Sequence, residues 1–88
     1  MAFDLERGWA LDPQVALRPE PFGALAYHFG TRRLSFLKSR TLLRVVESLA
    51  EQPSALAACR LAGVPEAQLG EYERALATLA DTDMIRAR

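Results

Sequence analysis

The sequence holds one cysteine, Cys59, and one histidine, His28, which leaves it short of the residues that do most thiol and metal chemistry. A lone cysteine excludes an intramolecular disulfide and a cysteine-held iron–sulfur cluster. With a single histidine beside it there is no ligand set for structural zinc. Net charge is missing too: 11 Lys and Arg offset 11 Asp and Glu, so the total gives no pull towards nucleic acid or an anionic membrane surface. No apolar run approaches the roughly 20 residues of a membrane span, and the N-terminal segment lacks the basic and then apolar layout of a signal peptide. The cytoplasm is therefore the expected compartment. Nucleotide-binding motifs, a nucleophile elbow and spaced carboxylate pairs are absent as well, which argues against an enzyme, and no cofactor or metal is expected.

What remains is a chain of 88 residues, half apolar and a quarter charged. That composition and length describe one folded domain, residues 1–88, around a single core. The balanced charges are unevenly spread. Arg32, Arg33, Lys38, Arg40 and Arg44 follow one another with no acid among them, whereas Glu66, Glu71, Glu73, Asp81 and Asp83 gather later with Arg74 the only base between them.

Residues 1 to 12 show no sustained period, yet Trp9 and Leu11 are costly to leave in water, and the segment reads as a lid or plug. A first strand runs from Val15 to Pro19, ending at a residue with no ladder donor. Phe22 to Phe29 alternates, with Leu25, Tyr27 and Phe29 on one face and Ala24, Ala26 and His28 on the other. The expectation is large residues inward and small residues outward. After the loop Gly30-Thr31-Arg32, Arg33 to Leu37 alternates again, with Leu34 and Phe36 on one face, so the two strands read as a hairpin. At Ser39, an N-cap type, the period lengthens to three and four through Leu42, Val45, Val46 and Leu49 until Pro53. Ser54 caps a second helix through Leu56, Cys59 and Leu61, closed by Gly63. A third helix follows Pro65 with Leu69, Tyr72, Leu76 and Leu79 as its stripe, after which Met84 and Ile85 trail off. Gly70 marks either a close contact or a weak first turn. The order is α+β: a three-stranded antiparallel sheet followed by three helices. Its expected core is Leu25, Tyr27, Phe29, Leu34, Phe36, Val46, Leu49 and Leu76.

The run Leu17 to Leu37, LRPEPFGALAYHFGTRRLSFL, resembles the peptide chaperones of mycofactocin biosynthesis. These are similar in layout to the pyrroloquinoline-quinone peptide chaperones. Both are precursor-peptide recognition elements, winged-helix-like domains whose sheet accepts a leader peptide as an added strand. The resemblance is close from about Trp9 to Leu49 and looser beyond. It implies a non-enzymatic partner that holds the leader of the mycofactocin precursor peptide and delivers it to a radical S-adenosylmethionine maturase, with no nucleic acid or membrane involved.

On that reading the third strand, Arg33, Leu34, Ser35, Phe36 and Leu37, is the docking edge, because its unpaired main-chain groups can take an extended peptide. Leu37 with Tyr72, Ala75, Leu76 and Leu79 would form a groove for the leader's apolar side chains, although for Leu76 and Leu79, taken one by one, core packing is the favoured reading. The basic cluster favours an acidic leader, or is simply a solvated face. By elimination, Arg40 and Arg44 are candidates for meeting the maturase. Cys59 reads as a buried inert thiol and His28 as a structural strand histidine. The alternative from another class is a winged-helix DNA-binding regulator, since Ser54 to Leu79 reads as helix, turn and helix. Glu66, Glu71 and Glu73 would then face phosphates.

Overall fold

Between Val15 and Leu37 the alternating residues form three strands, β2 (Val15–Glu20), β3 (Gly23–His28) and β4 (Leu34–Leu37), joined as an antiparallel sheet in the order β2-β3-β4. In this computed structural model, which describes residues 2–88, a further strand precedes them, β1 (Trp9–Leu11). Three helices follow the sheet. Helix α1 (Arg40–Ser48) runs on into a 3-10 turn, Leu49–Glu51. Helix α2 (Ala55–Leu61) and a second 3-10 turn, Glu66–Gln68, lead to α3 (Leu69–Asp81), and β5 (Ile85–Ala87) closes the chain. The α+β architecture expected from the change of period is the one observed.

The caps follow local chemistry. Ser39 is extended and its Oγ accepts from the Leu42 N–H at 3.0 Å, and Ser54 does the same for Ala57 at 3.0 Å. Gly63 takes φ +86 after α2, the left-handed turn that glycine permits. Helix α3 starts without a side-chain cap, and a β-carbon at Gly70 would meet nothing nearer than Arg74 Nη1 at 3.7 Å. No close contact requires that glycine, so it marks a weak first turn.

Three expectations are overturned. The first concerns the faces of the sheet. Ala24, Ala26, His28 and Leu37 are buried, while Leu25 and Tyr27 are half-buried and Phe29, Leu34 and Phe36 are exposed. Of the expected core, Val46, Leu49 and Leu76 are buried and the five bulky strand residues are not. The reason is close approach. Helix α1 lies over β3 with Val45, Val46 and Leu49 fully or almost fully buried, and alanines on that strand face let the backbones come near. Gly23 continues the same constraint: at φ +153 it lies so close to β4 that a β-carbon would run into the Leu37 carbonyl oxygen. Bulk therefore had to go to the other face.

The second concerns the ends. The segment read as a lid or plug, residues 1 to 12, ends in a strand, with Met1 alone outside the described residues. Trp9, Ala10 and Leu11 pair antiparallel with Ala87, Arg86 and Ile85. Trp9 is buried, its ring 4.8 Å from Phe3 and its Nε1 donating to the Asp4 carbonyl at 2.9 Å. Met84 and Ile85, far from trailing off, are among the most buried side chains. In α2 the stripe also differs, since Leu61 is exposed.

Candidate functional site

One edge of β4 is open, because among the described residues β4 pairs only with β3. Its register fixes which groups are free. Ser35 lies opposite Ala26 and Leu37 opposite Ala24, and the His28 N–H donates to the Arg33 carbonyl at 2.9 Å at the start of the ladder. In an antiparallel pair alternate residues point their main-chain groups at the partner. Arg33, Ser35 and Leu37 are thus turned to β3, while Leu34 and Phe36 direct their N–H and C=O outward.

Beside that edge lie two hollows of about 300 Å³ each. Ser35, Phe36, Thr78 and Leu79 line one, Ser39, Glu71 and Tyr72 the other, and Lys38, Leu42 and Ala75 line both. They make one groove between β4, the start of α1 and the exposed flank of α3. The Tyr72 and Ser39 hydroxyls approach to 3.5 Å, which ties α3 to the capped end of α1. Lys38 stands exposed at the middle, with no ion pair among the described residues.

Most residues expected at the site come together here. Arg33 and Leu34 are exposed at the head of the edge, Ser35, Phe36, Tyr72 and Ala75 line the groove, and Leu79, nearly buried, contributes its floor. Leu37 and Leu76 present no surface: each is fully buried in the core beneath the groove. Leu42, Lys38 and Thr78 were not foreseen as lining residues. Leu42 was legible only as part of the α1 stripe, and nothing local marks the one stripe position next to a free edge. Arg40 and Arg44 sit elsewhere, lining a hollow with Pro19, Glu20, Pro21, Gly23 and Leu43.

The titratable groups outside the groove are structural in their contacts. His28 is buried, and its Nδ1 accepts from the Gly30 and Thr31 N–H groups, both at 3.0 Å. Its Nε2 lies 3.6 Å from Asp12 Oδ1. The ring thereby holds the hairpin loop that leads into β4. Burial pushes the Cys59 thiol above its ordinary range, so the protonated form is favoured. Among the described residues no group of three or more His, Cys, Asp and Glu is placed to hold a metal ion, and no helix is long and apolar enough to cross a membrane.

A free strand edge over an apolar groove suits an extended chain, which supplies both the missing ladder partner and side chains for the hollows. The class these features define is a peptide-binding domain. The comparisons with known proteins narrow it: the model of the peptide chaperone MftB family matches residues 8–86, and the chain belongs to that family, whose members bind peptides and are not catalysts. It is 60% identical over 84 residues to a peptide chaperone MftB of Mycobacterium ulcerans, covering 96% of this chain and 77% of that protein. With the peptide chaperones MftB of Mycobacterium tuberculosis and Mycolicibacterium smegmatis it shares 58% over 86 residues and 53% over 85. These alignments cover 98% and 97% of this chain and 79% and 83% of those proteins. No solved structure matches the chain.

Proposed function

We propose that this chain binds the leader of the mycofactocin precursor peptide as a strand added to β4 and delivers the peptide to a radical S-adenosylmethionine maturase. The observation that carries the reading is the open edge at Leu34 and Phe36 directly above the groove. A strand laid along that edge alternates its side chains, so every second one falls towards Ala75, Leu42 and Leu79. Lys38 at the centre favours a leader with a carboxylate there. Holding the leader makes the encounter between the peptide's reacting residues and the maturase an intramolecular one, at an effective concentration often near millimolar. The maturase, and not this chain, would supply the cluster for that chemistry, since Cys59 is the only cysteine and lies buried.

The test is calorimetric titration of the leader peptide into folded variants. Ala75→Trp fills both hollows from the half-buried flank of α3, and Tyr72→Ala removes one wall; each is expected to weaken leader binding by at least about tenfold. Unchanged affinity in both, with circular dichroism showing the fold retained, would place the peptide elsewhere.

A further inference from the structure

The face of the sheet turned away from the helices is apolar and uncovered. Two cross-strand rows build it, Ala16–Tyr27–Leu34 and Arg18–Leu25–Phe36, with Phe29 continuing β3 and Phe22 folding over from the β2–β3 turn. The Phe22 and Phe36 rings lie 6.2 Å apart, and Tyr27 and Phe29 meet edge to face at 5.2 Å. Phe22, Phe29, Leu34 and Phe36 are 47%, 63%, 52% and 59% exposed. Side chains of this size left half open give an apolar patch on the order of 400 Å², more than scattered surface residues produce.

We infer that this aromatic face is the surface on which the maturase docks, a reading that rests on the function proposed above. Charge selects the partner. The hairpin at one end of the face carries Arg32 and Arg33, neither in an ion pair among the described residues. Among the described residues the only acid on the face, Glu20, is already held by Arg18 at 2.8 Å. A second copy of the chain would bring the same patch to an isologous contact and so offers no free carboxylate to those arginines. The fitting partner is a different protein with an apolar centre and carboxylates opposite the hairpin.

Size and continuity point the same way. A standard interface takes about 800 Å² from each partner, roughly twice what the aromatic patch supplies. Leu34 and Phe36 belong both to this face and to the open edge, so a leader strand beside them would turn its alternate side chains outward and extend the patch. The maturase then meets chaperone and leader as one surface and binds the loaded chaperone more tightly than the empty one. By linkage it strengthens the leader's hold by the same factor.

The experiment uses the full chain, the leader peptide and the radical S-adenosylmethionine maturase. The double variant Phe22→Ser/Phe29→Ser lies outside the groove, and Arg32→Glu tests the hairpin without touching the aromatic rings or the strand edge. Both are expected to bind leader within about twofold of the parent and to lose at least about tenfold in affinity for the maturase. Arg40→Glu/Arg44→Glu is expected to leave maturase binding unchanged. The inference is overturned if the face variants bind maturase normally, if the Arg40 and Arg44 variant alone loses it, or if sedimentation reveals a parent dimer that the phenylalanine variant dissociates. Loss of leader affinity in the phenylalanine variant would instead put the leader on this face, and the strand-edge reading would fail with it.

Discussion

Phe36 and Leu37 are neighbours in sequence and both apolar, yet the structure assigns them opposite costs on truncation. Leu37 is fully buried opposite Ala24 and under α1, whereas Phe36 is 59% exposed opposite Leu25. Leu37→Ala should remove packed methyl groups from a site that relaxes poorly, at roughly 2–5 kcal/mol. Phe36→Ala gives up a cross-strand pair and a loose ring contact with Phe22, together about 0.5–1.5 kcal/mol. A domain of this length has roughly 4–13 kcal/mol in total, so the first change consumes a large share of it and the second a small one. In thermal melts about 3 kcal/mol corresponds to a drop of the order of 15–20 °C, against a few degrees for Phe36→Ala. Urea unfolding followed by far-ultraviolet circular dichroism and by fluorescence of Trp9, the only tryptophan, gives the two free energies directly. Equal losses, or a loss below about 1 kcal/mol for Leu37→Ala, would refute the assignment of faces.

His28→Asn keeps an acceptor close to the place of Nδ1 for the Gly30 and Thr31 N–H groups, whereas His28→Leu removes it. The leucine variant is expected to be less stable by about 1–3 kcal/mol and the asparagine variant by distinctly less, measured in the same urea series. Cys59 should resist alkylation by iodoacetamide at neutral pH until the protein unfolds; rapid labelling of the native chain would contradict its burial. Because the folded thiol is raised above its unfolded value, the stability it contributes is present below that value. It is lost as the pH climbs through the higher folded value. Duplex DNA is expected not to bind selectively at physiological salt, given the exposed Glu66 in the turn before α3 and Glu71 and Glu73 in its first turns; a nanomolar, sequence-selective complex in a mobility-shift titration would overturn this.

The order of elements was legible because the period changes at Ser39 and because Ser54, Gly63 and Pro65 mark helix ends by local chemistry. The faces of the sheet were not. Alternation tells that Leu25, Tyr27 and Phe29 share a side, but not which side a helix covers, and the usual preference for burying bulk chose the wrong one. That error is itself informative, since the large side chains left outside form the exposed apolar patch on which the docking proposal rests. The edge at Leu34 and Phe36 could be anticipated from the hairpin running straight into α1. The wall made by Leu42 and Lys38 needed the placement of α3 beside the start of α1, where Ser39 meets Tyr72, which no local pattern encodes. The pairing of Trp9 to Leu11 with Ile85 to Ala87 was invisible for a related reason: three-residue strands carry almost no period.

That terminal pairing also sets the order in which the molecule can form. The β2–β3–β4 meander closes by tight turns and needs only residues 15–37, but Trp9 finds its ladder partner at Ala87, nearly the whole chain away. The Arg88 side chain adds to the closure by donating to the Ala50 carbonyl at 2.8 Å and to that of Gln52, with its own N–H on the Gly8 carbonyl at 3.0 Å. Contacts of such sequence separation form late, since loop entropy must be met before they contribute. During synthesis the sheet and α1 can therefore assemble while Trp9 still lacks its ladder partner, and its pairing reports that β5 has been made. A ribosome stalled before residue 85 would hold a nascent protein with its aromatic face already made and β1 still unpaired.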